Sequence, residues 1–104
     1  MIWSNLTLLE LKLWVSGVSV DFILGEEKRL GFEVKSKSGQ TLVITEAKFQ
    51  LISNGTVLQG GNCDIDGQKL YCLIKPTERG YMYLEMEYVI APETRKARIN
   101  INVV

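Results

Sequence analysis

Residues Arg79–Val104 read RGYMYLEMEYVIAPETRKARININVV, and this stretch decides the fold. Met82, Leu84, Met86 and Tyr88 alternate with Tyr81, Tyr83, Glu85 and Glu87. Beyond Ala91-Pro-Glu-Thr94, the residues Ala97, Ile99, Ile101 and Val103 alternate with Lys96, Arg98, Asn100 and Asn102. Successive side chains of a strand point to opposite faces, so this period of two specifies a pair of half-buried strands, and the interruption specifies a turn. With Ala91–Thr94 as a four-residue loop, Ile90 faces Arg95. The pairing then runs Tyr88 with Ala97, Met86 with Ile99, Leu84 with Ile101 and Met82 with Val103, all apolar. It also sets Glu87 opposite Arg98 and turns Tyr81, Tyr83 and Glu85 outward. A slip of one residue would put the whole apolar set into water, so the facing is strongly constrained.

The same period governs the chain upstream. Val18, Val20 and Phe22 alternate before Gly25-Glu-Glu-Lys28, and Leu30, Phe32 and Val34 alternate after it. The polar cluster Ser36-Lys-Ser-Gly-Gln40 breaks the pattern as turn residues do. Ala47, Phe49 and Leu51 then share one face of a strand that ends at Ser53-Asn54-Gly55, where Asn-Gly is a strong hairpin signal because both residues tolerate positive φ. A short return strand, Thr56–Leu58, is expected, with a bend or bulge at Gly60-Gly61, a second turn at Asp66-Gly67, and a strand over Leu70–Ile74 that Pro76 stops. About seven or eight antiparallel strands spaced by turns predict an all-β, two-sheet sandwich of immunoglobulin type over residues 18–104. Met1–Gly17 is an apolar arm ahead of it. Thr7-Leu-Leu-Glu10 has the form of a helix capping box, whereas Leu9, Leu11, Leu13 and Val15 alternate as in a strand, so the arm is an extra N-terminal strand or a short helix.

Composition narrows the function. Twelve basic and twelve acidic side chains cancel, which removes the long-range field that draws proteins to nucleic acid or anionic membranes. No apolar run approaches the ~20 residues a spanning helix needs: Leu8-Leu9 meets Glu10, and Lys12 follows. Met1-Ile-Trp-Ser-Asn5 has no basic region of the kind that opens a secretory signal, so synthesis in the cytoplasm is expected.

Candidate chemistry is sparse. The chain contains no histidine, the commonest acid/base group and metal ligand. Asp64 and Asp66 resemble the start of a calcium loop, but apolar residues follow where further oxygen ligands would be needed. Glu85 and Glu87 share a strand face, a spacing paired-carboxylate catalysis uses, yet a cross-strand ion pair with Arg98 accounts for Glu87 more simply. Asn5-Leu-Thr7 and Asn54-Gly-Thr56 match the glycosylation acceptor pattern, which carries meaning only in a secretory setting. Cys63 and Cys72 lack other soft ligands nearby; a four-residue loop Asp66–Lys69 places them directly across from each other, and a two-residue loop puts Leu70 there instead. No enzyme, cofactor or metal is implied. Tyr81, Tyr83, Trp3 and Trp14 are the candidate contact residues, with Arg98 beside them, since aromatics with an apolar body and a polar tip are enriched in interfaces.

Six segments are similar to small immunoglobulin-like β-sandwich proteins encoded among the virion structural genes of phages and prophages of Gram-positive bacteria. They are Phe22-Ile-Leu-Gly-Glu26, Ala47-Lys-Phe-Gln-Leu51, Cys63-Asp-Ile-Asp-Gly67, Ile74-Lys-Pro-Thr77, Gly80-Tyr-Met-Tyr-Leu-Glu85, and Tyr88-Val-Ile-Ala91 with Glu93-Thr-Arg-Lys96. Gly80 followed by tyrosines looks like the entry to strand F of such a domain, although tyrosine takes the first and third places after the glycine rather than the spacing of a tyrosine corner. The resemblance implies a structural or accessory role without catalytic residues. The expected function is a non-enzymatic virion module, of head or tail, that binds other protein subunits or its own copies through a sheet edge or an aromatic sheet face. It would be made in the host cytoplasm and carried in the virion. The alternative is a secreted or cell-surface module that binds carbohydrate or protein, with Cys63 and Cys72 bridged.

Overall fold

The computed structural model describes residues 4–8, 13–14, 19–36 and 42–104, and the alternating pattern becomes ten strands. These are β1 (Ser4–Leu8), β2 (Leu13–Trp14), β3 (Ser19–Phe22), β4 (Lys28–Ser36), β5 (Glu46–Ser53), β6 (Thr56–Asn62), β7 (Asp64–Asp66), β8 (Lys69–Ile74), β9 (Gly80–Ile90) and β10 (Glu93–Val103). They form two five-stranded sheets, the first ordered β2-β1-β4-β8-β7 and the second β3-β10-β9-β5-β6. In immunoglobulin lettering β1, β4, β8 and β7 make the ABED sheet, while β5, β9 and β10 make C, F and G of the other. The chain is an immunoglobulin-like sandwich.

Residues of alternate parity fill the space between the sheets. Leu30, Phe32 and Val34 of β4, with Leu70, Cys72 and Ile74 of β8, are fully buried from one side. Phe49 and Leu51 of β5, Met82, Leu84 and Met86 of β9, and Ile99 and Ile101 of β10 meet them from the other, all in one cluster. Each such aliphatic side chain contributes roughly 1.5–3 kcal/mol by leaving water.

The terminal hairpin buries the face expected of it, in a different register. Its loop is the two residues Ala91-Pro92, so Ile90 pairs with Glu93, Tyr88 with Arg95, Met86 with Ala97, Leu84 with Ile99 and Met82 with Ile101. The offset from the expected pairing is two residues, which preserves every side chain's face because the strand period is two. Arg98 therefore lies opposite Glu85, not Glu87. Asn54 and Gly55 make the expected tight turn at φ 51° and 78°. The return strand is longer than expected, and its irregularity falls at Leu58 between the Leu51–Gln59 and Ile52–Val57 pairs rather than at Gly60-Gly61. Those glycines pass close to Phe49, where a Cβ on Gly61 would meet the ring at 3.3 Å.

Two relationships cross the chain order. The strands on either side of the Gly25 turn do not pair with each other: β3 runs parallel to β10 in the second sheet, and β4 enters the first. The ladder of β3 and β10 is extended by Val104 N–H donating to Phe22 O and Leu24 N–H donating to Val104 O, both at 2.9 Å. In the arm, β1 pairs with β4 and β2 with β1, so its described residues are strand within the first sheet. The cluster following Ser36, up to Gln40, lies outside the described residues.

Candidate interaction face

The outer face of the second sheet is ordered in rows, because residues in register across neighbouring strands present their side chains together. Tyr83 pairs with Asn100 of β10 and with Ile52 of β5; Asn100 pairs with Ser19 of β3, and Ile52 with Val57 of β6. One uncharged row, Val57-Ile52-Tyr83-Asn100-Ser19, thus spans all five strands. Beside it Tyr81, Asn102 and Asp21 form a second row, in which Tyr81 is 83% exposed. Val57 is exposed as well, and Ile52 is buried although it stands outside the core cluster.

Further along the same face the rows become charged. Arg98 Nε donates to Glu85 at 2.8 Å, and this bond together with the charge of Glu85 and the neighbouring Tyr83 holds the guanidinium pKa above its ordinary value. Lys48 and Lys96 flank Glu87 at 3.7 and 3.9 Å. The two carboxylates that share this strand face, Glu85 and Glu87, are therefore each paired with cations. Asp64 faces Arg29 at 3.5 Å on the exposed strand β7, and among the described residues no group of three acidic, cysteine or histidine side chains gathers to hold a metal.

Of the contact residues expected from the sequence, the fold brings together Tyr81, Tyr83 and Arg98: the guanidinium carbon of Arg98 sits 4.8 Å from the centre of the Tyr83 ring. The rings differ in consequence, Tyr83 being half-buried and Tyr81 open. Neither hydroxyl makes a hydrogen bond to another described residue. Trp14 is in β2, paired with Thr7 in the first sheet and so in the other layer. Trp3 lies outside the described residues. Sequence reasoning missed Val57, Ile52, Asn100 and Asn102, which join the tyrosines only through pairings between strands distant in sequence.

At the opposite end of β9 from Tyr81 the surface dips into a depression of about 380 Å³ lined by Glu46, Ala47, Lys48, Asn62, Cys63, Glu87 and Val89. Cys63 and Cys72 are both buried and unbridged, with their sulfurs 3.0 Å apart. The turn between β7 and β8 is Gly67-Gln68, one pair tighter than the four-residue loop but in the same register, with Asp66 opposite Lys69. Gln68 also clamps the sandwich: its Nε2 donates to Val34 O at 2.8 Å and its Oε1 accepts from Leu42 N–H at 3.2 Å.

No protein-family model and no characterised sequence matches the chain. Solved structures do. An engineered protein superposes with a TM-score of 0.66 at 11% identity, over 98% of this chain and 20% of its own. The endo-β-1,4-mannanase of Thermotoga petrophila gives 0.65 at 10% identity, again over 98% and 20%. Domains 4 and 5 of the S-layer protein SbsC give 0.53 at 11% identity, over 100% of this chain and 53% of theirs. The chain thus spans about a fifth of the first two and about half of the third, and at these identities the likeness is one of fold.

Proposed function

We propose that this protein is a non-enzymatic binding module that contacts another folded protein subunit through the Tyr81 end of its second sheet. The observation that carries this reading is the pattern of the face: an uncharged aromatic and amide strip, Val57-Ile52-Tyr83-Asn100 with Tyr81 and Asn102 beside it, bordered by the ion pairs of Glu85, Glu87, Lys48, Lys96 and Arg98. Protein interfaces are built this way, with charge depleted from the centre and retained at the rim, and with tyrosine as a common anchor. An 83% exposed tyrosine contributes nothing to its own core. The similarity of six segments to phage and prophage sandwich proteins supports a virion as the setting, with neighbouring head or tail subunits as partners.

The test is association of Tyr81→Ser and Tyr83→Ser with the subunits encoded beside this chain, and with itself by sedimentation. Loss of an anchor is expected to weaken binding by about tenfold or more, the scale of a hot-spot residue. Unchanged affinity in both variants rejects the face. Binding to an oligosaccharide in place of any protein, lost in the same variants, rejects the protein partner and supports the carbohydrate-binding alternative.

A further inference from the structure

Cys63 stands where the chain passes from the second sheet to the first. Its N–H donates to Ala47 O at 3.0 Å, one step past the Lys48–Asn62 pair of β5 and β6, while Asp64 opens β7 and pairs with Tyr71 of β8. Carrying that register back one residue sets Cys63 opposite Cys72, and the sulfurs are already 3.0 Å apart. Residues directly opposed on antiparallel strands have Cα atoms about 4.5–5.5 Å apart, within the span a disulfide accepts.

Access to the pair is one-sided. Cys63 lines the depression beside Glu46, Lys48 and Glu87, and Cys72 does not; Cys72 is fully enclosed, and its strand neighbour Leu30 on β4 is enclosed as well. A reagent arriving from solvent therefore meets Cys63 first.

We propose that Cys63 and Cys72 are a paired modification site that takes a small-molecule disulfide through this depression, Cys63 attacking and Cys72 resolving, to leave an intramolecular bridge. The Cys63 thiolate attacks one sulfur of RS–SR, forming Cys63–S–S–R and expelling RS⁻, which takes a proton from water. Cys72 then loses its proton to solvent, attacks Cys63 Sγ and expels the second RS⁻. Two protein thiols are oxidised to one disulfide, and one small disulfide is reduced to two thiols. The hydrogen bond between the sulfurs lowers the Cys63 pKa and raises that of Cys72, which favours the same order of attack. The bridge would tie the sheet-crossing residue to the β8 strand of the first sheet. It lies at the far end of β9 from the Tyr81 face, so it is independent of the partner that face meets.

The experiment uses the full chain, reduced, freed of reductant and exposed to bis(2-hydroxyethyl) disulfide or glutathione disulfide, then read by intact mass and by thiol alkylation in denaturant. The expected product is a monomer lighter by about 2 Da that no longer alkylates. Cys72→Ala is expected to accumulate the mixed disulfide at Cys63, and Cys63→Ala to react at least about tenfold more slowly. A wild-type chain that keeps its reduced mass, stops at a stable mixed disulfide, or forms only disulfide-linked dimers overturns the proposal. Equal rates for the two single variants overturn the assigned order. The wild-type mass alone decides the bridge should either variant fold poorly.

Discussion

Arg98 reaches across the β9–β10 ladder to Glu85, and the 2.8 Å bond between them holds its guanidinium 4.8 Å from the centre of the Tyr83 ring. The ion pair is exposed and adds little to stability. Its effect is local: it covers one tyrosine of the candidate face and leaves Tyr81 open.

Removing the carboxylate releases that cover. In Glu85→Ala, nitration or iodination of Tyr83, mapped by peptide mass, is expected to rise about two- to fivefold while Tyr81 is unchanged, the scale of losing an exposed cation–aromatic contact. High salt is expected to act in the same direction on the wild type, because it screens exposed pairs. A Tyr83 rate indifferent to both changes means that the ring is shielded by something other than Arg98.

Leu84 and Ile99 face each other within the core and are 0% and 1% exposed. Leu84→Ala is expected to cost about 2–5 kcal/mol in urea unfolding, through lost burial and a residual cavity. Tyr81→Ser is expected to stay within about 0.5 kcal/mol of the wild type. If Tyr81→Ser destabilises as much as Leu84→Ala, the tyrosine serves the fold and not a partner.

Gly61 passes the Phe49 ring so closely that a Cβ would stand 3.3 Å from it. Gly61→Val is expected to destabilise by about 1–3 kcal/mol through displaced packing. Gly55, at φ 78° with open space around it, tests the backbone alone: Gly55→Ala is expected to cost about 1 kcal/mol. Thermal midpoints of the two variants read both effects.

Alkylation of Cys63 carries a pH signature. Because the Cys72 hydrogen bond lowers the Cys63 pKa against the opposing effects of burial and Asp64, the thiolate persists to lower pH, and the rate profile is expected to turn at lower pH than that of an ordinary thiol. Glu46, Lys48 and Glu87 are the charged groups that line the depression with it. Cys72→Ala removes the hydrogen-bond partner of Cys63, so the profile is expected to move to higher pH and the rate at neutral pH to fall. A profile that moves to lower pH in Cys72→Ala shows that burial by Cys72 outweighs its hydrogen bond.

The chain's own pattern was sufficient to set which residues of β9 and β10 face inward, because parity along a strand is local and a period of two needs no partner to be read. Met82, Leu84, Met86 and Tyr88 are buried under the expected pairing and under the observed one alike. For the same reason parity cannot choose between registers two residues apart. That choice fell to the Ala91-Pro92 turn and to the neighbouring strands, and it moved Arg98 from Glu87 to Glu85. The division of strands between sheets, the parallel pairing of β3 with β10, and the row that sets Val57 and Ile52 beside Tyr83 are contacts between distant segments. They are decided by how two sheets jointly bury one core, a balance that no single stretch of the chain encodes.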